Sequence, residues 1–340
     1  MTILQMWRNR LQDVETKNRY GEKSTEMGKH LYLCPGLRTL QLWLAVLLVG
    51  FATEGCARQV VLVLSERSAP YLEAAAAISS GLAEADVKLA VRTLSMDEVR
   101  DSGFGADTLL VPLGVRATEA LARLPSAAPV LAGLLPRQRY EKILRELVLR
   151  ARRHQFSAVS LDQPYPRQFR LLSAALPDIR QIGVLLGSAT LSERDMLEEA
   201  AEDSHLQLVT KTLDNATTLF PDIDAVLLHS DALLLLPDIE VVNRASLQSL
   251  ILTSYRQRRP VLGYSAALVK AGALLAVYST PEQIGRQIAE IIRRKPFVLP
   301  PPQPPRYFSV MVNRNVARAL SLTIPADAQL YTALLAEPQP

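Results

Sequence analysis

The chain has 340 residues, 49% of them hydrophobic and 21% charged, with a net charge of +4. This balance excludes a disordered polymer and suits about two globular domains. Seven of the 38 Lys/Arg and five of the 34 Asp/Glu fall in residues 1–56, which leaves 31 and 29 beyond them. With no concentrated basic face, nucleic acid is not expected as a partner.

Leu42–Ala52 (LWLAVLLVGFA) is an apolar run of secretory-signal length, preceded by Lys29, His30 and Arg38. A membrane span needs about 18–20 apolar residues, so this run reads as an export signal rather than as the alternative, an uncleaved N-terminal membrane helix. Residues 1–26 are polar and read as an extension, with translation expected to start at Met27 and the signal to cover 27–56. The two cysteines, Cys34 and Cys56, both lie in or beside the signal, so no disulfide is expected in the mature chain. Thr53-Glu54-Gly55-Cys56 resembles a bacterial lipobox, with Thr53 and Glu54 as departures. Two outcomes stay open: lipidation of Cys56, or cleavage near Ala57 to a soluble periplasmic product.

Beyond the signal, Val60–Leu64 is a continuous apolar run of the kind found in strands buried on both faces of a parallel sheet. In order there follow a helix (Tyr71–Glu84), a strand (Lys88–Leu94), a helix (Met96–Asp101) and a strand (Thr108–Val111). Gly114 marks the next turn, and a helix runs through Glu119–Leu124. A strand at Pro129–Leu135 and a helix at Tyr140–Arg153 complete the series. Strands alternating with helices at this spacing mean βαβ units. The cations Arg150, Arg152, Arg153 and His154 are read as opposing a helix's negative end.

The pattern repeats with a helix at Arg167–Leu176, a strand at Gln181–Leu186 and a turn at Gly187–Thr190. Ser192 reads as N-cap of the acidic helix Glu193–Asp203. Leu206–Val209 and Ala225–Leu228 read as strands, the second ending in His229-Ser230-Asp231, and Leu247–Arg256 as a helix.

The stretch Pro260–Arg294 then joins the two halves. A strand at Pro260–Gly263 ends in Tyr264 and Ser265, and a strand at Ala273–Val277 passes into a helix. Thr280 is placed as its N-cap, Pro281 at its first position, and Ile284, Ile288, Ile291 and Ile292 on one face. Pro300–Pro305 is a stiff connector, Tyr307–Val312 a strand, Asn313–Leu320 a short helix, and 331–340 a loose tail.

Reactive constellations are weak. Gly263-Tyr264-Ser265-Ala266-Ala267 resembles a nucleophile elbow, yet no histidine follows His229, so the required order fails. His154 and His205 have no ligand spacing around them, and neither a Walker nor a G-x-G-x-x-G sequence occurs. No enzyme activity, metal or cofactor is expected.

Several segments resemble ABC transporter substrate-binding proteins of the two-lobed α/β type, in the aromatic-amino-acid-type group. They are Ser157–Asp162 (SAVSLD), Leu176–Gly187 (LPDIRQIGVLLG), Ala225–Asp231, Pro260–Arg294 and Met311–Pro325 (MVNRNVARALSLTIP). The resemblance implies two doubly wound parallel-sheet lobes joined by a three-crossover hinge, a layout like the type I periplasmic binding proteins. Lobe 1 would comprise 58–157 plus 279–297, and lobe 2 would comprise 158–278 plus 298–330. Crossovers are expected near Ala158–Ser160, Ala276–Thr280 and Val298–Pro302. A small polar ligand would lie in the cleft, at loops following the strands' carboxyl ends. Those loops carry Ser65, Ser68, Gly114, Ser188, Thr190, Asp231, Tyr264 and Ser265. Asp231 reads equally as a cap of a following helix, and Tyr264 as hinge packing. Where relatives carry a Thr-Asp-Pro turn, this chain has Gly133-Leu134-Leu135-Pro136-Arg137, so Arg137 points either to an anionic ligand or to a solvated loop. The expected partner is the permease of an ABC-type importer, in the periplasm, with membrane contact only through the signal or a lipid anchor. An alternative is a sensor or adaptor that docks on a membrane signalling protein.

Overall fold

The computed structural model describes residues 58–84, 89–100, 103–213, 219–294 and 297–335. The expected signal, the Met27 start and Cys56 lie outside them. Among the described residues no helix is long and apolar enough to cross a membrane.

The first sheet contains β1 (Gln59–Leu64), β2 (Ala90–Leu94), β3 (Thr108–Leu113), β4 (Val130–Leu135) and β5 (Phe156–Ser160), in the order β2-β1-β3-β4-β5. All its pairings are parallel. The unbroken apolar run of β1 is explained by burial on both sides. Val60, Leu62 and Leu64 enter one buried cluster, and Val61 and Val63 enter the other. Each such side chain contributes about 1.5–3 kcal/mol on burial. The helices α1 (Ala69–Ala83), α2 (Met96–Arg100), α3 (Val115–Arg123) and α4 (Arg137–Glu146) connect these strands. The expected long helix Tyr140–Arg153 is α4 followed by a separate 3-10 turn at Arg150–Gln155.

The second sheet contains β6 (Gln181–Leu186), β7 (Gln207–Thr212), β8 (Ala232–Leu234), β9 (Val261–Gly263), β10 (Leu275–Tyr278) and β11 (Ser309–Val312). Its order is β11-β10-β9-β8-β6-β7, parallel except for β11 against β10. Its connecting helices are α5 (Tyr165–Ala175), α6 (Arg194–Asp203), α7 (Leu219–Leu228), α8 (Leu247–Arg256) and α9 (Ala266–Ala271). Ile182, Val184 and Leu186 bury on one side of this sheet, and Leu185 on the other.

Three expectations fail here. Ala225–Leu228 is the end of α7, because Leu219, Ile223, Val226 and Leu227 bury at helical spacing; the strand is Ala232–Leu234. Ser192 does not cap α6, since Leu191–Glu193 forms a 3-10 turn and α6 starts at Arg194. Tyr331–Leu335 is the end of a helix, α12 (Asp327–Leu335), with α11 (Arg314–Ala319) before it. Leu330 and Leu334 seat α12 in the second lobe's core.

Three chain crossings link the sheets. β5 leads through Asp162 and Gln163 into α5. The second crossing runs from β10 into α10 (Pro281–Arg294), which packs against α1 of the first lobe through Ile284, Ile288, Ala289 and Ile292. Thr280 caps α10 as the sequence implies. Its Oγ1 accepts from Gln283 N at 3.1 Å, and Gln283 Oε1 accepts from Thr280 N at 2.9 Å, a reciprocal capping box. On the third crossing Gln303 bonds to β5: Gln303 N donates to Ala158 O at 3.0 Å, and Ser160 N donates to Gln303 O at 3.1 Å. The crossings are also tied to one another. Gln163 Nε2 donates to Ser279 Oγ at 2.7 Å, and Ser279 Oγ donates to Tyr307 O at 2.5 Å. Arg167 Nη1 donates to Gln163 Oε1 at 2.7 Å and to Pro305 O at 2.9 Å.

Candidate functional site

Each sheet reverses its winding direction once, in the first between β1 and β3 and in the second between β6 and β8. In open α/β sheets the crevice beyond the strand ends at such a point is the place where ligands are held, because neighbouring connections leave it on opposite faces. The residues at these two places are therefore the first to consider.

At the first switch point Ser65 follows β1 and Gly114 follows β3. Ser65 is buried, and its Oγ accepts from Ala117 N at 3.0 Å in the first turn of α3. Gly114 caps α3 at φ 93°, a conformation that only glycine adopts without strain. A Cβ there would sit 2.6 Å from both Ser65 Oγ and Tyr71 Cε1, so the mouth is already packed to contact. Burial, with Glu66 adding, raises the pKa of the Tyr71 phenol. Ser68 precedes α1, and its hydroxyl donates to Glu66 Oε1 at 2.8 Å.

At the second switch point the organising group is Asp238, which the sequence reading missed. Its carboxylate is buried and accepts from Thr190 Oγ1 at 2.9 Å, Thr190 N at 3.1 Å and Glu240 N at 2.9 Å. Thr190 is fully buried, and its Oγ1 also accepts from Gly187 N at 3.1 Å. Ser188 stands at the rim, where its N and Oγ donate to Glu240 at 2.7 and 2.6 Å. These bonds hold the Glu240 carboxyl below its usual range. After β9, Tyr264 is half-buried; burial first and the Asp238 charge second raise its pKa. Ser265 caps α9, its Oγ accepting from Leu268 N at 3.3 Å, so its hydroxyl serves the helix end.

Seven of the eight expected ligand residues thus stand beyond strand carboxyl ends: Ser65, Ser68 and Gly114 on the first sheet, and Ser188, Thr190, Tyr264 and Ser265 on the second. Asp231 does not. It precedes β8, at the amino end of that strand, and its Oδ2 accepts from Arg180 N and Gln181 N at 3.0 and 2.9 Å. The reading of Ala225–Leu228 as a strand had placed it on the wrong edge. It caps no following helix either, since β8 comes next.

Arg137 begins α4 directly after β4. Its Nη2 bonds to Glu193 Oε1 of the second lobe, and its Nη1 donates to Glu141 Oε1 at 2.9 Å. Burial opposes the Arg137 charge, but Glu193 and Glu141 outweigh it and leave the guanidinium pKa raised. The expectation that Arg137 faces a ligand or solvent missed this partner.

The paired switch points and three crossings define a two-lobed α/β protein of type I periplasmic binding layout. A family model described as ABC transporter substrate binding protein matches residues 154–332, more than half of the chain. The chain belongs to this family. No curated protein matches it. Among solved structures, a domain in complex with L-Trp from Streptococcus pneumonia shares 16% identity at a TM-score of 0.55, covering 82% of this chain and 98% of that one. A ligand-free, open substrate-binding protein with adhesive properties from Clostridium difficile shares 15% identity at a TM-score of 0.63, covering 80% and 97%. A conserved domain protein from Vibrio cholerae shares 19% at 0.55, covering 82% and 98%. At these identities the likeness shows the fold.

Proposed function

We propose that this chain is the extracytoplasmic solute-binding component of an ABC-type importer, whose two lobes close on a small polar ligand and present it to a membrane permease. The observation that carries this reading is the pair of switch points. Ser65 with Gly114 and Thr190 with Asp238 put prepared polar edges on separate lobes, and the lobes are joined by crossings that can act as a hinge. Ser68, Ser188, Tyr264 and Ser265 complete the binding edges, and Asp238 fixes Thr190 in place. The lobes divide at the crossings, with β1–β5 and α10 in the first and β6–β11 with α11 and α12 in the second. Ser265 is engaged as a helix cap, which supports binding of the guest without chemistry on it. Export into the periplasm, by signal cleavage or with a lipid on Cys56, agrees with this role.

A thermal-shift screen of amino acids (L-Trp included), organic acids and sugars tests the reading. A ligand at 100 times its Kd adds about 2.7 kcal/mol of stability, so one chemical class should raise Tm clearly. A flat response across all three classes would contradict it.

A further inference from the structure

Arg137 and Glu193 lie 56 residues apart and belong to different lobes. Arg137 opens α4 after β4 of the first sheet, and Glu193 ends the 3-10 turn after β6 of the second. The Glu193 side chain keeps 8% of its exposure and that of Arg137 keeps 35%. Both Glu193 oxygens are engaged, Oε1 by Arg137 Nη2 and Oε2 by the Tyr165 hydroxyl at the start of α5. Arg137 is anchored as well: its backbone N–H donates to Asp162 Oδ2 in the first crossing. The β4–β5 register shifts between Ala132 and Leu135, where Leu134 has φ 56°, shortly before Arg137 in the chain. A cation and a carboxylate, each fixed from behind, therefore meet across the boundary between lobes.

We propose that the Arg137–Glu193 pair is an inter-lobe latch that holds the two lobes at the hinge angle seen here. Rotation of one lobe on the other draws the guanidinium from Glu193. That leaves a largely buried carboxylate with, among the described residues, the Tyr165 hydroxyl as its remaining partner, and an uncompensated buried charge is costly. The bonds among Gln163, Ser279 and Tyr307 lie within the bundle of crossings, so they fix the hinge without choosing its angle. The latch goes beyond the solute-binding role, and testing it requires no ligand.

Its test uses the full chain without ligand, with Cys34→Ser and Cys56→Ser, and spin labels on cysteines replacing the exposed Leu72 and Ile239. The inter-label distance distribution is compared among the parent, Glu193→Gln, Arg137→Ala and the swap Arg137→Glu/Glu193→Arg. Glu193→Gln keeps an acceptor for Tyr165. The latch predicts that each single variant displaces the distribution and raises the population away from the parent distance by about tenfold or more, with the swap moving it back. Folded single variants with the parent distribution would overturn the proposal. If the single variants fail to fold, the pair is a piece of the fold and the latch is wrong, whether or not the swap folds. The readout needs no solute, so its failure is separate from failure of the ligand screen.

Discussion

A methyl group on Gly187 would lie 2.6 Å from both carboxylate oxygens of Asp238. That carboxylate cannot retreat freely, because Thr190 and Glu240 hold it through three hydrogen bonds. The end of β6 and the loop after β8 are therefore joined at closest approach, at the point where the second sheet changes direction.

Gly187→Ala should accordingly destabilise the fold by about 1–3 kcal/mol, the usual range for overpacking a rigid site. It should also weaken solute binding, since Thr190 moves with Asp238. Urea unfolding followed by ligand titration checks both. Unchanged stability would mean that the Asp238 loop yields more easily than its bonds suggest.

Ser279→Ala removes a hydroxyl that receives from Gln163 and donates to Tyr307 O, so it loosens two crossings from the third. Leaving the buried Gln163 amide short of a partner costs about 1–3 kcal/mol. The expected outcome is a lower urea midpoint with an unaltered slope, since the surface exposed on unfolding hardly changes.

Thr280→Ala breaks one half of the capping box at the start of α10. A loss of about 1 kcal/mol is expected, with hydrogen exchange accelerated in the first turn of α10 more than at Ile288 or Ile292.

Asp162 gives a dependence on pH. Burial raises its carboxyl pKa; the Arg137 N–H bond opposes this, and the Glu193 charge adds to the rise. A carboxyl whose folded pKa lies above its unfolded one binds its proton more tightly in the folded state. Its stabilising contribution is full below the unfolded pKa and is lost as pH rises through the folded pKa. Asp162→Asn keeps an acceptor for Arg137 N and removes the titration. The variant's Tm should then gain on the parent's as pH rises from acid to neutral, and parallel profiles would refute this.

Much of the fold can be read from local pattern. Val60–Leu64 and Ile182–Leu186 are unbroken apolar runs because both faces of their sheets are covered, and Thr280-Pro281 with Gln283 announces α10. Ala225–Leu228 misleads because four apolar residues alone do not separate a strand from a buried helix end; the helical spacing emerges only when Leu219 and Ile223 are included. Asp231 was misplaced by that same error. Asp238 and Glu193 were invisible for another reason. Their partners Thr190 and Arg137 lie 48 and 56 residues away, and nothing within a turn of either marks it as paired. Ser65 and Gly114 could be found because a polar or glycine break straight after a buried strand is itself a local mark.

Two hinged lobes that close around a solute should bring their outer faces into a new relation. The most direct measurement is the distance between labels at Leu72 and Ile239 before and after saturation with the compound that raises Tm most in the screen. A shorter, narrower distribution is expected in the bound chain. A compound that binds tightly and leaves that distribution unchanged would contradict it.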